Sequence, residues 1–187
     1  MDVIATLQRL TAILETEAIE YAIGGAIALS YWAVPRATLD IDIGINVEPT
    51  TIPQLLVTLE QAGCIVNHDT AMIAAERGDF GARLKDVRID IFLPTLPFAA
   101  DAFDRKIRVP LADNSIWILA AEDIALYKLI YGRTKDYADL ERLFSSQLDQ
   151  LDLTYLDKWI NKLFASDDSR KHFYLNLRAK IIKTHKV

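Results

Sequence analysis

The stretch Tyr21–Val47, YAIGGAIALSYWAVPRATLDIDIGINV, decides how this chain is read. A short apolar run, Tyr21-Ala22-Ile23, ends at two adjacent glycines. An apolar segment from Ala26 to about Trp32 then reads as a helix, and Pro35 stops it, because proline cannot continue the helical ladder and disfavours helix at the residue before it. From Thr38 to Val47 apolar and polar residues alternate as in a strand. Residues two apart on a strand project from one face, about 6–7 Å apart along it, so Asp40 and Asp42 point together and Leu39, Ile41 and Ile43 point into the core.

Two carboxylates that close repel each other unless positive charge sits between them. A divalent cation supplies that charge. A second apolar strand, VRIDIFLP, offers a third carboxylate, Asp90, between Ile89 and Ile91, with Arg88 two residues earlier on the same face. Three carboxylates on neighbouring strands can hold two Mg²⁺ or Mn²⁺ ions. The glycine pair completes the set, since a Gly24-Gly25 turn between strand and helix lets backbone N–H groups approach a phosphate, and the helix N-terminus adds a favourable dipole. Oxygen-held metals facing a phosphate cradle are the apparatus for in-line attack on a nucleoside triphosphate.

Outward from this stretch, Val3, Leu7, Leu10 and Leu14 recur at helical spacing and predict an amphipathic helix over residues 2–18. Thr50 is expected to cap a helix reaching Ala62. FGARLKDVRIDIFLP predicts two strands around Lys85-Asp86, and RKIRVPLADNSIWILA another pair around Asp113-Asn114. The remainder reads as helices over Ala121–Tyr131, Thr134–Leu148, Thr154–Phe164 and Ser169–Ile182, with Gly132-Arg133 as the first break. The expected organisation is a core over 1–120 and a C-terminal helical part over 121–187, packed on the core as one unit.

Composition narrows the function. The 187 residues, 51% of them hydrophobic, are enough for one domain with a full core. The single cysteine, Cys64, excludes an internal disulfide and a thiolate metal cluster, fits a reducing cytoplasm, and is expected as a small buried hydrophobe. No basic n-region or long apolar run stands at the start, and no eighteen apolar residues stand together, so no membrane association is expected. A net charge of −5 argues against a surface devoted to nucleic acid. His68, His172 and His185 are scattered without metal-ligand spacing. Asp139 and Arg142 read as a helix-face ion pair at i, i+3. Trp32, Trp117 and Trp159 read as core or interface residues. The basic tail of Arg178, Lys180, Lys183 and Lys186 reads as a solvated helix face.

The segments GGAIALSYWAVPRATLDID, VRIDIF and AAEDIALYKLIYGRTKDYADLERL resemble the nucleotidyltransferase superfamily, the polymerase β-like fold, and within it the small prokaryotic members related to AbiEii-type toxins. The resemblance spans about Tyr21 to Leu143. It implies an α+β fold, a mixed sheet flanked by helices with a C-terminal helical bundle. It further implies phosphate contacts at Gly24 and Gly25, metal and catalysis at Asp40, Asp42 and Asp90, and nucleotide contacts from Lys128 and Asp136. Arg36 and Thr38 join the nucleotide-binding candidates, Thr38 because it shares the face of the aspartate pair. Gly25 stands where many members have serine.

The expected activity is metal-dependent transfer of a nucleoside monophosphate from an NTP to a hydroxyl on a protein, a transfer RNA end or a small molecule. A cognate antitoxin or toxin partner is a further expectation. Two alternatives remain: a DxD sugar transferase using a nucleotide-sugar, and a non-catalytic protein of the same fold that binds a nucleotide or a partner.

Overall fold

The computed structural model describes residues 3–147 and 149–184. The chain forms two compact units, Met1–Ile27 with Ala37–Leu119, and Ala28–Arg36 with Ala120–Val187.

The first unit is built on a mixed sheet. Helix α1 (Val3–Thr16) leads into strand β1 (Glu20–Ile23), and helix α2 (Gly25–Trp32) follows at once, its residues from Ala28 onward belonging to the second unit. Strand β2 (Asp40–Asn46), a 3-10 turn (Pro49–Thr51), helix α3 (Ile52–Gln61), strand β3 (Ile65–Val66) and helix α4 (His68–Arg77) come next. Strands β4 (Asp79–Leu84) and β5 (Val87–Phe92), helix α5 (Ala99–Asp104) and strands β6 (Ile107–Leu111) and β7 (Asn114–Ile118) complete the unit. The seven strands lie in the order β3-β4-β5-β2-β1-β7-β6. The β2–β5 and β1–β7 pairs are parallel and the others antiparallel.

Alternation along β2 buries Ile41, Ile43 and Ile45 completely, and β5 does the same with Ile89 and Ile91. Leu7, Leu10 and Leu14 of α1 are equally buried, and α1 packs on β1, β2 and α3. Full burial of each such side chain contributes about 1.5–3 kcal/mol, so this layer fixes which face of β2 is left for Asp40 and Asp42.

Three expectations need correction. The strand containing the aspartates begins at Asp40 rather than Thr38, and Leu39 is 80% exposed instead of buried. The Thr50 cap is replaced by the 3-10 turn, and α3 starts at Ile52 with Thr51 at its N-cap, its hydroxyl donating back to the Glu48 carbonyl at 2.8 Å rather than capping the helix. Helices α4 and α5 and strand β3 fall where no element was read. Cys64 is buried as expected, and burial pushes its thiol up to about 11. Residue 2, Leu148, His185 and Lys186 lie outside the described residues.

The second unit is helical: α6 (Ala121–Tyr131), α7 (Thr134–Gln147), α8 (Leu153–Leu163) and α9 (Ser169–Thr184), with residues 28–36. Gln147 Nε2 donates to the Trp32 carbonyl at 2.7 Å, tying that early segment to α7. α6 is buried almost all round, as a central helix must be. Gly132 ends it in the left-handed conformation, φ 58°, donating its N–H to the Lys128 carbonyl. Among the described residues no helix is long and apolar enough to cross a membrane.

Candidate active site

In the first unit the sheet brings the predicted carboxylates together. β2 and β5 run parallel with Asp42 directly across from Asp90 and Asp40 across from Arg88. Partners on neighbouring strands are about 4.8 Å apart, so Asp42 and Asp90 share one small patch. Asp40 lies on the same face, one pleat back, and is exposed.

The Gly24-Gly25 turn borders this patch. β1 pairs with β2 up to Ile23 against Ile43, and the Gly24 N–H then donates to the Asp42 carbonyl at 2.8 Å. Gly25 opens α2 with φ +56°, and a Cβ built there would lie 1.8 Å from Asp42 Oδ2 and 2.8 Å from Asp42 Cβ. This accounts for glycine at position 25: the backbone conformation disfavours a side chain, and the Asp42 carboxylate occupies the space it would need. Since the Gly24 N–H is committed to the sheet, the donors left to meet a phosphate are those of the first turn of α2.

Arg88 supplies the positive charge. Its Nε donates to Asp90 Oδ1 at 2.9 Å and its Nη2 lies 2.8 Å from the same oxygen. The hydrogen bond and charge of Asp90, supplemented by Asp40 and Asp42, hold the guanidinium pKa above its ordinary value. Among the described residues no group of three or more His, Cys, Asp or Glu side chains is arranged to hold a metal ion. The donor chemistry of Asp40, Asp42 and Asp90 suits a hard divalent cation, and an ion on Asp90 Oδ1 has to displace Arg88. Thr38 stands outside the strand, its hydroxyl accepting from the Asp40 N–H at 3.3 Å.

Arg36, Lys128 and Asp136 belong to the second unit, where they form one ionic cluster. Lys128 Nζ lies 2.7 Å from Asp139 Oδ2 and 3.6 Å from Asp136 Oδ1. Arg36 grips Asp139 through Nε at 3.1 Å and Nη2 at 3.2 Å, and Arg133 Nε donates to Asp136 Oδ2 at 2.7 Å. Lys128, Asp136 and Asp139 are all buried, so each charge needs these partners. Burial alone would raise the Asp139 carboxyl, but hydrogen bonds from Arg36 and Lys128 hold it below the ordinary carboxylate range. The expected Asp139–Arg142 pair is present at 3.2 Å, yet Asp139 is the hub of the cluster rather than a surface charge. A sequence separation of 103 residues hides the Arg36–Asp139 pair from any local pattern.

A glycine turn on a carboxylate patch, carried by a mixed sheet with helices, is the arrangement of a nucleotide-transfer fold, and comparison with known proteins agrees. The antibiotic-resistance factor ANT(2'')-Ia, determined in solution, matches with a TM-score of 0.60 at 16% identity, covering 98% of this chain and 96% of that one. A crystal structure of ANT(2'')-Ia with adenylyl-2''-tobramycin gives the same score and identity over 97% and 98%. An antigenic nucleotidyltransferase-like protein from Paracoccidioides brasiliensis matches at 0.55 and 15%, covering 97% and 90%. No curated protein matches. The profile of the family described as "Nucleotidyltransferase of unknown function (DUF6036)" matches residues 1–186, and the chain belongs to that family.

Proposed function

We propose that the protein transfers a nucleoside monophosphate from an NTP to a hydroxyl acceptor in a metal-dependent reaction. The observation that carries this reading is the Asp42–Asp90 register with the Gly25 backbone set against Asp42. Asp42 and Asp90, with Asp40 beside them, would hold Mg²⁺ or Mn²⁺, which supplies charge neutralisation at the phosphates and a lowered pKa at the attacking hydroxyl. The first turn of α2 offers N–H donors to the phosphates. Asp90 would take the hydroxyl proton as the acceptor oxygen bonds to the α-phosphorus, the bond from that phosphorus to the bridging oxygen breaks, and pyrophosphate leaves. Arg88, freed from Asp90 at that stage, is a ready partner for a phosphate oxygen. In the second unit Arg36, with a third of its side chain open, is one of the cluster's arginines that could meet an anion, alongside the more exposed Arg133 and Arg142, and Lys128 and Asp136 act by holding that cluster together.

The family match favours nucleotide transfer over the nucleotide-sugar alternative. The nearer kinship to AbiEii-type toxins, and a cognate antitoxin with it, stays part of this proposal and rests on the helical segment around Lys128 to Asp136. Binding without turnover is a second reading, favoured by the Arg88 guanidinium standing on Asp90. One experiment separates them. Incubation with each α-³²P-labelled NTP, Mg²⁺ and a cell lysate should label an acceptor, and Asp90→Asn should abolish labelling while retaining much of the nucleotide affinity. Nucleotide binding without label in any fraction would establish the non-catalytic reading.

A further inference from the structure

The face of the sheet that carries the carboxylates continues past Asp90 toward β3, and its residues are fixed by register. One cross-strand row runs Asp40 (β2), Arg88 (β5), Arg83 (β4), Ile65 (β3). The next runs Asp42, Asp90, Gly81. Register partners share a face, so Arg83 and Arg88 stand side by side on the exposed side of the hairpin, and both are exposed.

Two like charges directly opposite each other oppose strand pairing unless an anion answers them. Asp90 answers Arg88. Arg83 has no ion pair or side-chain hydrogen bond among the described residues, and the nearby hairpin residues Lys85 and Asp86 do not pair with it. Beside it the surface is clear. A Cβ built on Gly81, the residue across from Asp90, meets no atom within 4 Å. An open strip of backbone therefore leads from Asp90 to an unanswered guanidinium, about one strand spacing across and two residues along.

We propose that this strip seats the acceptor and that Arg83 binds a phosphate group on it, so that the acceptor is a phosphate-bearing hydroxyl compound and not a polycation. The proposal rests on the nucleotidyl-transfer reading, in which Asp90 faces the attacking hydroxyl. It sets this chain apart from the tobramycin-bound structural neighbour at one point: the amines of an aminoglycoside would suit Asp40, Asp42 and Asp90 but would meet repulsion at Arg83. A nucleic-acid strand and a phosphorylated small molecule share the chemistry that Arg83 reads.

The test uses the full chain with three probes: a fluorescein-labelled single-stranded oligoribonucleotide, ribose 5-phosphate and tobramycin. Affinity for each NTP is measured in parallel. A phosphate-bearing probe should bind with affinity that falls as salt rises, Arg83→Glu should weaken it about tenfold or more, and Arg83→Lys should restore part of the loss. NTP affinity should stay within about twofold in both variants, because Arg83 is assigned to the acceptor's phosphate rather than to the nucleotide. Preference for the oligoribonucleotide identifies a strand, and preference for ribose 5-phosphate a small molecule. Tobramycin binding with neither phosphate probe bound overturns the proposal, as does Arg83→Glu behaving as wild type. An equal loss of NTP affinity in Arg83→Glu also overturns it, assigning the residue to the triphosphate. Absence of NTP binding by the wild type defeats the nucleotidyl-transfer reading itself, a result distinct from these.

Discussion

Asp42 on β2 faces Asp90 on β5 in parallel register, and Arg88 lies against the Asp90 carboxylate at 2.8 Å. The guanidinium and a divalent ion therefore compete for one carboxylate. Arg88→Ala should lower the melting temperature without metal, because the carboxylates lose their counter-charge, and should enlarge the rise produced by millimolar Mn²⁺. Differential scanning calorimetry with and without Mn²⁺ checks this. If Asp42→Asn and Asp90→Asn both titrate Mn²⁺ as the wild type does, the carboxylate patch is not the metal site.

The two glycines should respond differently to the same substitution. Gly25→Ala places a side chain at positive φ and against Asp42, with an expected loss of about 1–3 kcal/mol in urea unfolding. Gly24→Ala meets Leu119 Cδ1 at 3.4 Å, an ordinary contact, and should cost less than about 1 kcal/mol. Equal losses would mean that the Asp42 contact does not set the requirement at Gly25.

Asp139→Asn removes the hub of the second unit's cluster and leaves Lys128 with Asp136 alone, so a loss of about 3 kcal/mol is expected at neutral pH. The folded-state pKa of Asp139 is depressed below its ordinary 3.8. Its contribution is therefore complete above that value and disappears as pH falls through the lower folded pKa. The stability gap between variant and wild type should stay constant from about pH 7 to about pH 5 and close in stronger acid, followed by denaturant unfolding at each pH. A gap that closes near neutrality would point to a different titrating group.

Tyr155 donates its hydroxyl to Asp123 Oδ1 at 2.6 Å inside the second unit, where Asp123 is fully buried. Tyr155→Phe should destabilise by about 1–3 kcal/mol, because the carboxylate loses a buried hydrogen bond, with nucleotide affinity unchanged. Thermal unfolding and nucleotide titration on one preparation measure both.

The alternation of Asp40, Asp42 and Asp90 with isoleucines made the two inner strands legible, since a period of two marks a strand with one buried and one open face. Leu39 did not follow the pattern because pairing, not periodicity, ends a strand: the β2 register stops at Asp40 with Arg88. Helix α4 buries only the small Ala71 and Ala74, a weak signal, yet its termini were readable, with Asn67 accepting from the Thr70 N–H at one end and Gly78 in the left-handed conformation at the other. The aspartates of the candidate site came from local spacing. Arg83 was not singled out, because its meaning comes from standing opposite Arg88 across a hairpin with Gly81 clearing the surface beside it. The burial of Lys128 and Asp139 depends on which helices pack around α6, a tertiary fact that charged residues in an acidic-and-basic helix do not announce.

The order of strands has one more consequence, for self-association. The sheet ends on one side at β3, only two residues long, and on the other at β6, where Pro110 lacks the N–H that an added strand would need. Neither border can template a foreign strand over any length. At high concentration the folded chain should therefore resist edge-to-edge polymerisation, and a protein partner has to recognise side chains rather than extend the sheet.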